Sequence, residues 1–88
     1  MIQVVVYSTA VCPFCVRAKS MLNQWEVAFR EVRIDRDDSA MQEYIRVTNG
    51  ARTVPQILIA GTLIGGFSEL MEIERKGGLD ELKGSAPM

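Results

Sequence analysis

The sequence contains no histidine, only two cysteines and no apolar run long enough to span a bilayer. A structural zinc site usually takes four cysteine or histidine ligands, so one chain of this composition cannot complete such a site. Small secreted proteins that depend on disulfides carry more cysteines than this. Ten basic and eleven acidic side chains leave a formal net charge of −1, which gives no general attraction to nucleic acid or to anionic membranes. We therefore expect no metal, no nucleic-acid partner and no membrane partner.

The chain length of 88 residues is enough for one small domain and not for two. We assign residues 1–84 to that domain and residues 85–88 to a frayed tail. The chain opens directly on a strand-like pattern, with no cationic segment, long apolar segment or cleavage site before it. We expect a soluble monomer in the reducing setting of the cytoplasm.

The most informative motif is the pair Cys12 and Cys15, which encloses only Pro13 and Phe14. A β-branched run precedes the pair and a helical pattern follows it, which places Cys12 at the first turn of a helix. There, unpaired backbone N–H groups and the positive end of the helix dipole favour a thiolate. Cys15 lies one turn further along, close to Cys12, and Pro13 suits the first helical position. The spacing predicts a reversible dithiol and disulfide pair.

Other uses of this cysteine pair stay open on the residues alone. A metal held by a single chain conflicts with the missing ligands. A purely structural disulfide would close a ring of four residues, which constrains the unfolded chain very little. An iron–sulfur cluster shared by two chains, with one thiolate from each and small thiols completing the set, is the third alternative. Redox chemistry is the leading hypothesis.

The hydrophobic pattern predicts seven elements in the order βαβαββα. Strands are predicted at residues 2–7, 28–34, 56–59 and 62–64, and the first of them is apolar enough to be buried on both faces. A parallel crossover joins the first two strands, and Ala60-Gly61 joins the last two as a hairpin. The predicted fold is α/β, a four-stranded mixed sheet with helices on both faces.

Three helices complete the predicted order. The first follows Cys12, the second starts at Ser39 with Gln42 at capping-box spacing, and the third takes Ser68 as its N-cap. Asn49-Gly50 ends the second helix and Gly77-Gly78 ends the third, before a short turn at residues 79–82. The second helix has an apolar stripe that we expect to face the core: Met41, Tyr44, Ile45 and Thr48.

Four motifs in this order resemble those of the dithiol glutaredoxins, which have the thioredoxin-like fold. The motifs are residues 7–15 with the CPFC pair, Thr53-Val54-Pro55 before a strand, Gly65-Gly66 before the last helix, and Gly77-Gly78-Leu79. The resemblance disfavours thioredoxin proper, which has a tryptophan before the first cysteine and Gly-Pro between the two. It also disfavours the single-cysteine iron–sulfur branch, which has serine at the position of Cys15.

The resemblance implies a glutathione-dependent thiol–disulfide oxidoreductase. Cys12 would attack a disulfide sulfur and form a mixed disulfide, and Cys15 would resolve that intermediate for protein disulfides. A second glutathione would resolve glutathione mixed disulfides, so Cys15 would be dispensable for them. Electrons would come from glutathione, and ultimately from NADPH through a separate reductase. Partners would be glutathione and disulfide-containing proteins such as ribonucleotide reductase.

The resemblance also implies a glutathione-binding groove. Thr53, Val54 and Pro55 would form a cis-proline loop whose Val54 backbone pairs with the tripeptide, the alternative being an ordinary trans proline before an edge strand. Gly66, Phe67 and Ser68 would offer N–H groups at a helix N-terminus to the γ-glutamyl carboxylate. The remaining expected contacts are Arg52 and Gln42 to the glycine carboxylate, with Tyr7 and Phe14 as groove walls. Arg52 could equally be a solvated charge, and Gln42 could equally belong to the capping box.

Two positions depart from the family pattern. Thr9 stands where a lysine is common, and Ser68 stands where an aspartate is common. Both changes remove a charge that would favour glutathione binding or the thiolate, so we expect weaker glutathione affinity than is usual. A redoxin dedicated to one partner and reduced by a thioredoxin reductase is therefore the alternative function.

Overall fold

A computed structural model describes residues 3–77 of the chain. These residues form seven elements in the predicted βαβαββα order. They are β1 (Val4–Ser8), α1 (Pro13–Gln24), β2 (Arg30–Arg33), α2 (Asp38–Thr48), β3 (Gln56–Ile59), β4 (Thr62–Gly65) and α3 (Phe67–Arg75). No helix within these residues is both long and apolar enough to cross a membrane.

The four strands form one mixed sheet in the order β2-β1-β3-β4. β1 pairs in parallel with β2 and antiparallel with β3, and β3 pairs antiparallel with β4. All five residues of β1 are buried, as the apolar run predicted for a strand covered on both faces. Ala60 and Gly61 both have positive φ, the conformation of a two-residue hairpin turn, and they join β3 to β4.

Successive residues of β1 point into two separate cores, one on each face of the sheet. Val4 and Val6 pack with α1 and α3, through side chains that include Leu22 and Leu70. Val5 and Tyr7 pack on the other face with α2. The prediction of helices on both faces is confirmed. This arrangement brings the N-termini of α1 and α3 to the same side of the sheet, where the cysteines lie.

Two predicted helix starts are wrong. α2 begins at Asp38, with Asp37 as the N-cap, and the Asp37 carboxylate accepts the backbone N–H of Ala40 at 2.7 Å. The expected capping box of Ser39 and Gln42 is therefore absent. An aspartate earlier in the turn caps the helix as well as serine does, and so moves its start.

α3 begins at Phe67 with Gly66 as the N-cap, rather than at Ser68. The strand β4 ends at Gly65, which has a φ of 113°, so only Gly66 separates the strand from the helix. Ser68 thus lies inside the first turn. The end of α2 at Asn49 and Gly50 is as predicted, and both residues have positive φ.

The predicted apolar stripe of α2 faces the core only in part. Tyr44 and Thr48 are buried, but Met41 and Ile45 are 38% and 46% exposed. Ala40 and Val47 pack against the core on this face. The helix is therefore rotated so that Met41 and Ile45 line an open groove beside residues 50–54.

The strand predicted at residues 28–34 is shorter in the structure, because only Arg30–Arg33 pairs with β1. Residue 2 of the first predicted strand, Gly78, the turn at residues 79–82 and the tail at residues 85–88 lie outside the described residues.

Candidate active site

Cys12 and Cys15 are joined as a disulfide at the start of α1, with Cα atoms 5.2 Å apart. Cys12 is the N-cap of the helix and Pro13 is its first residue, as the sequence predicted. Cys12 is 8% exposed and Cys15 is 1% exposed. Because Cys12 is the more accessible residue of the two, it is the one that an outside disulfide can reach.

The surroundings of Cys12 favour a negatively charged sulfur. The backbone N–H of Cys15 donates to Cys12 Sγ at 3.1 Å, in the way that a capping side chain is held. The positive end of the α1 dipole lies at the same point. The carbonyl oxygen of Val54, 3.6 Å from Cys12 Sγ, does not contribute to this effect, because its own partial charge is negative. These contacts place Cys12 between the helix N-terminus and the loop that precedes β3.

An ion pair anchors the loop that precedes Cys12. The backbone N–H of Ala10 donates to the Asp35 carboxylate at 2.9 Å, and Arg33 binds the same carboxylate at 2.8 Å. Together the Arg33 guanidinium and this N–H hold the pKa of Asp35 well below its usual range. Asp35 is not among the site residues predicted from the sequence, so this anchoring role was missed.

The loop of Thr53, Val54 and Pro55 lies against the disulfide. The peptide bond between Val54 and Pro55 is cis, as predicted. The carbonyl oxygen of Thr53 accepts the Tyr44 hydroxyl at 2.8 Å and the Gln56 amide at 3.2 Å. The loop is therefore held from both the α2 side and the β3 side. Val54 itself precedes β3, so it is not part of the sheet ladder.

An open groove of about 260 Å³ runs from this loop to the N-terminus of α3. It brings together seven residues that the sequence analysis assigned to glutathione binding. They are Phe14, Thr53, Val54, Pro55, Gly66, Phe67 and Ser68. We call this the first groove.

Glu69 also lines the first groove, and the sequence analysis did not name it as a site residue. The backbone N–H of Gly66 donates to the Glu69 carboxylate at 2.7 Å. A Cβ atom at Gly65 would lie 2.8 Å from that carboxylate oxygen, so the glycine leaves the space that Glu69 occupies. The sequence does contain a signal for this contact, because an acidic residue three positions after the N-cap is typical of a capping box.

A second groove of about 430 Å³ lies on the other side of Val54. Arg52 and Thr9 line it, together with the exposed side chains of Met41 and Ile45. Gln42 is exposed on α2 and lines neither of the two grooves. The structure therefore separates Arg52 and Gln42 from the first groove.

The expected position of Tyr7 requires a correction. Its side chain is 1% exposed in the core on the α2 face, and it lines neither groove. Its hydroxyl donates to the Glu43 carboxylate at 2.8 Å. Burial and this carboxylate raise the pKa of Tyr7 to about 12. Side chains alternate between the two faces of β1, and Tyr7 points to the α2 face, away from the first groove. It therefore supports the sheet beneath the site.

The described residues contain no group of three or more histidine, cysteine, aspartate or glutamate side chains that could hold a metal ion.

Comparison with known proteins identifies the family. The glutaredoxin family model matches residues 4–64. A glutaredoxin of Pseudomonas aeruginosa is 44% identical over 79 residues, which cover 90% of this chain and 93% of the relative. Glutaredoxin 3 of Escherichia coli strain K12 is 40% identical over 82 residues, which cover 93% of this chain and 98% of the relative.

The fold agrees with this assignment. The crystal structure of a buckwheat glutaredoxin–glutathione complex superposes with a TM-score of 0.77 at 30% identity, covering 90% of this chain and 74% of the buckwheat chain. The cysteine pair, the cis-proline loop and the mixed sheet thus occur together in one fold. The chain belongs to the glutaredoxin family, whose members are thiol–disulfide oxidoreductases of the thioredoxin-like fold.

Proposed function

We propose that this protein uses glutathione as its electron donor and reduces both protein disulfides and glutathione mixed disulfides. The observation that carries the proposal is the first groove, which adjoins Cys12 and ends at the N-terminus of α3. The groove is lined by an extended loop on one side and by helical N–H groups on the other. This combination suits a short peptide with a carboxylate at one end.

The proposed pose follows from these groups. The backbone of Val54 lies outside the ladder of β3 and pairs with the peptide as an added strand would. The N–H groups of Phe67 and Ser68, in the first turn of α3, face the γ-glutamyl carboxylate. Arg52, in the second groove, is the cation within the described residues that we assign to the glycine carboxylate. Gln42 is a weaker candidate because it is outside both grooves.

The reaction with a glutathione mixed disulfide takes two exchanges. The Cys12 thiolate attacks the glutathione sulfur, and the substrate leaves as a thiolate that takes up a proton. A second glutathione thiolate then attacks the glutathione sulfur bound to Cys12, which releases glutathione disulfide and restores the Cys12 thiolate. Overall, the substrate sulfur gains one electron and the sulfur of the second glutathione loses one, while the first glutathione passes from the mixed disulfide into glutathione disulfide. Cys15 takes no part in this route.

A protein disulfide follows a different second step. The Cys15 thiolate attacks Cys12, which closes the disulfide seen in the structure and releases the reduced substrate. Two glutathione molecules then reopen the pair. Disulfide-containing enzymes such as ribonucleotide reductase are the proposed substrates. We propose that the protein acts as a monomer in the cytoplasm, where glutathione is kept reduced.

The buckwheat glutaredoxin was crystallised as a complex with glutathione, which supports glutathione as the ligand class. The test is a coupled assay with glutathione, glutathione reductase and NADPH. The wild type and Cys15→Ser should both reduce a glutathione mixed disulfide, and Cys12→Ser should be inactive. With a protein disulfide, Cys15→Ser should also lose activity.

Two results would overturn the proposal. One is equal loss of activity in both cysteine variants on the glutathione mixed disulfide. The other is a wild type that turns over with thioredoxin reductase but not with glutathione, which would instead identify a redoxin dedicated to one partner.

A further inference from the structure

A cluster of exposed apolar side chains extends from the first groove onto the outer surface of α1 and α3. Phe14 is 51% exposed and Met71 is 42% exposed. The rings of Phe14 and Phe67 lie 5.7 Å apart. The guanidinium of Arg17 lies 5.0 Å from the centre of the Phe67 ring and 5.7 Å from that of Phe14. We call Phe14, Arg17, Phe67 and Met71 the aromatic rim.

The rim continues into a third groove, of about 270 Å³, between α1 and α3. Arg17, Phe67 and Met71 line this groove with the neutral side chains of Ser20, Met21 and Gln24. No acidic side chain is part of that lining within the described residues. Arg17 is thus the charged side chain in the lining of the third groove.

The charge of Arg17 is not neutralised within residues 3–77. The ion pairs found there use Lys19, Arg30, Arg33 and Arg75. The Arg17 guanidinium lies over the Phe14 and Phe67 rings, a contact that does not neutralise its charge. A carboxylate is the group that a guanidinium binds best, because it accepts two parallel hydrogen bonds.

Part of the aromatic rim lies outside the first groove. Phe14 and Phe67 line the first groove, whereas Arg17 and Met71 line only the third groove. A tripeptide that fills the first groove leaves these two side chains uncovered. A polypeptide that carries a disulfide extends further and covers them.

We propose that the aromatic rim docks disulfide-bonded protein substrates in which an apolar side chain and an acidic side chain flank the attacked cysteine. This proposal rests on the proposed thiol–disulfide exchange at Cys12. The apolar side chain would pack on Phe14, Phe67 and Met71, and the acidic side chain would bind Arg17. Segments with a basic residue in that place are disfavoured because two cations would meet.

The step that this docking serves is a two-electron exchange. The Cys12 thiolate attacks one sulfur of the substrate disulfide, and the other substrate sulfur leaves as a thiolate. The Cys15 thiolate then attacks Cys12 Sγ, which closes the Cys12–Cys15 disulfide and releases the second substrate thiolate. The substrate takes up two protons, and the protein dithiol supplies both electrons.

The test uses the reduced full-length protein and cyclic peptides closed by one disulfide, so glutathione is not needed. The peptides carry a leucine and differ only in having Glu or Lys beside the cysteines. Exchange is followed by acid quenching and mass spectrometry. The wild type should react with the Glu peptide about threefold to tenfold faster than with the Lys peptide, the range of a partly exposed charge pair. The ratio should fall as salt is added.

Arg17→Glu should reverse the order of the two peptides. Arg46→Glu is the matched control, since it makes the same charge change on α2, across the sheet, and should keep the wild-type order. Exchange with the small substrate 2-hydroxyethyl disulfide corrects for any effect of the charge change on Cys12 reactivity, so the ratio of the two peptide rates is the readout. Met71→Ala should slow both peptides equally, because it removes only apolar contact.

The outcomes separate the two proposals. Equal rates for the Glu and Lys peptides with the wild type, or the same shift in Arg46→Glu as in Arg17→Glu, would overturn the docking proposal and leave the exchange chemistry intact. Absence of exchange with every disulfide, the small one included, would overturn both. Normal exchange here with no activity in the glutathione assay would overturn only the glutathione dependence.

Discussion

Two aromatic pairs in residues 3–77 have similar ring separations but opposite surroundings. The rings of Tyr7 and Tyr44 lie 5.8 Å apart in the core on the α2 face, where the two residues are 1% and 3% exposed. The rings of Phe14 and Phe67 lie 5.7 Å apart at the rim of the first groove, where Phe14 is half exposed. An arginine lies near each pair, Arg30 near the tyrosines and Arg17 near the phenylalanines. The two pairs differ in what these arginines and the neighbouring polar groups bind.

Inside the core every one of these groups has a partner in the same chain. The Tyr7 hydroxyl donates to Glu43, which also binds Arg30 at 2.9 Å. The Tyr44 hydroxyl donates to the carbonyl of Thr53, which links the core to the loop at the active site. At the rim, the Arg17 guanidinium lies over the Phe14 and Phe67 rings instead. The buried pair therefore contributes to stability, and the exposed pair is available for binding.

Truncation of the two pairs should separate these roles most strongly. Tyr7→Ala should lower the free energy of unfolding by about 3 to 5 kcal/mol, as large buried aromatic side chains do. Phe14→Ala should lower it by less than about 1 kcal/mol, because the ring is half exposed. Urea denaturation followed by Trp25 fluorescence measures both. Similar losses in the two variants would break the comparison.

High pH should act on the buried pair alone. Since folding raises the pKa of Tyr7 from 10.0 to about 12, its contribution is fully present below pH 10.0 and is lost as the pH rises towards 12. The loss should reach about 2 kcal/mol. Tyr7→Phe should flatten this alkaline limb, although burial also raises the pKa of Tyr44, which acts in the same direction. An unchanged alkaline limb in Tyr7→Phe would contradict this assignment.

Low pH should act on the same network through Glu43. The Tyr7 hydroxyl, and then Arg30, lower the pKa of Glu43 below 4.5. The stabilisation is therefore present above pH 4.5 and is lost as the pH falls through the folded-state pKa. Glu43→Gln should lower stability by about 1 kcal/mol at neutral pH and have little effect in acid. A loss of equal size at both pH values would show that packing, rather than charge, is responsible.

Thr9→Lys should have the smallest effect, and on function only. Thr9 is partly exposed at the end of β1, so a lysine there would bring a positive charge towards Cys12 without disturbing the core. The fraction of Cys12 present as thiolate at neutral pH should rise by up to about fivefold at low salt, with unchanged stability. Thiolate absorbance measures this. No change would mean that local hydrogen bonds, such as that from Cys15 N–H, set the reactivity instead.

The sequence predicted the parts of the fold that depend on local chemistry. Three local features each determine a conformation without help from tertiary contacts. They are the buried apolar run of β1, the proline after Cys12 and the helix end at Asn49-Gly50. The helix starts at Asp38 and Phe67 were missed because several residues near each start can serve as a cap, and tertiary contacts decide between them. Sequence alone does not rank such candidates.

The site was predicted where a motif is contiguous and missed where it depends on packing. Thr53, Val54 and Pro55 lie together in the first groove because they are consecutive in the chain. Tyr7 precedes the cysteines by only five positions, yet strand alternation turns it into the core. Asp35 binds the backbone of Ala10 from 25 positions away, a contact that no local pattern indicates. Glu69 is different, because it lies three positions after Gly66, at capping-box spacing.

The most direct test of the account is to ask which cysteine receives glutathione. Cys15→Ser and Cys12→Ser, each reduced and then incubated with glutathione disulfide, can be compared by intact-protein mass spectrometry. Cys15→Ser should gain a single glutathionyl group that reduced glutathione removes. Cys12→Ser should stay unmodified over the same time, because Cys15 is 1% exposed. An unmodified Cys15→Ser, or equally fast modification of both variants, would contradict Cys12 as the nucleophile.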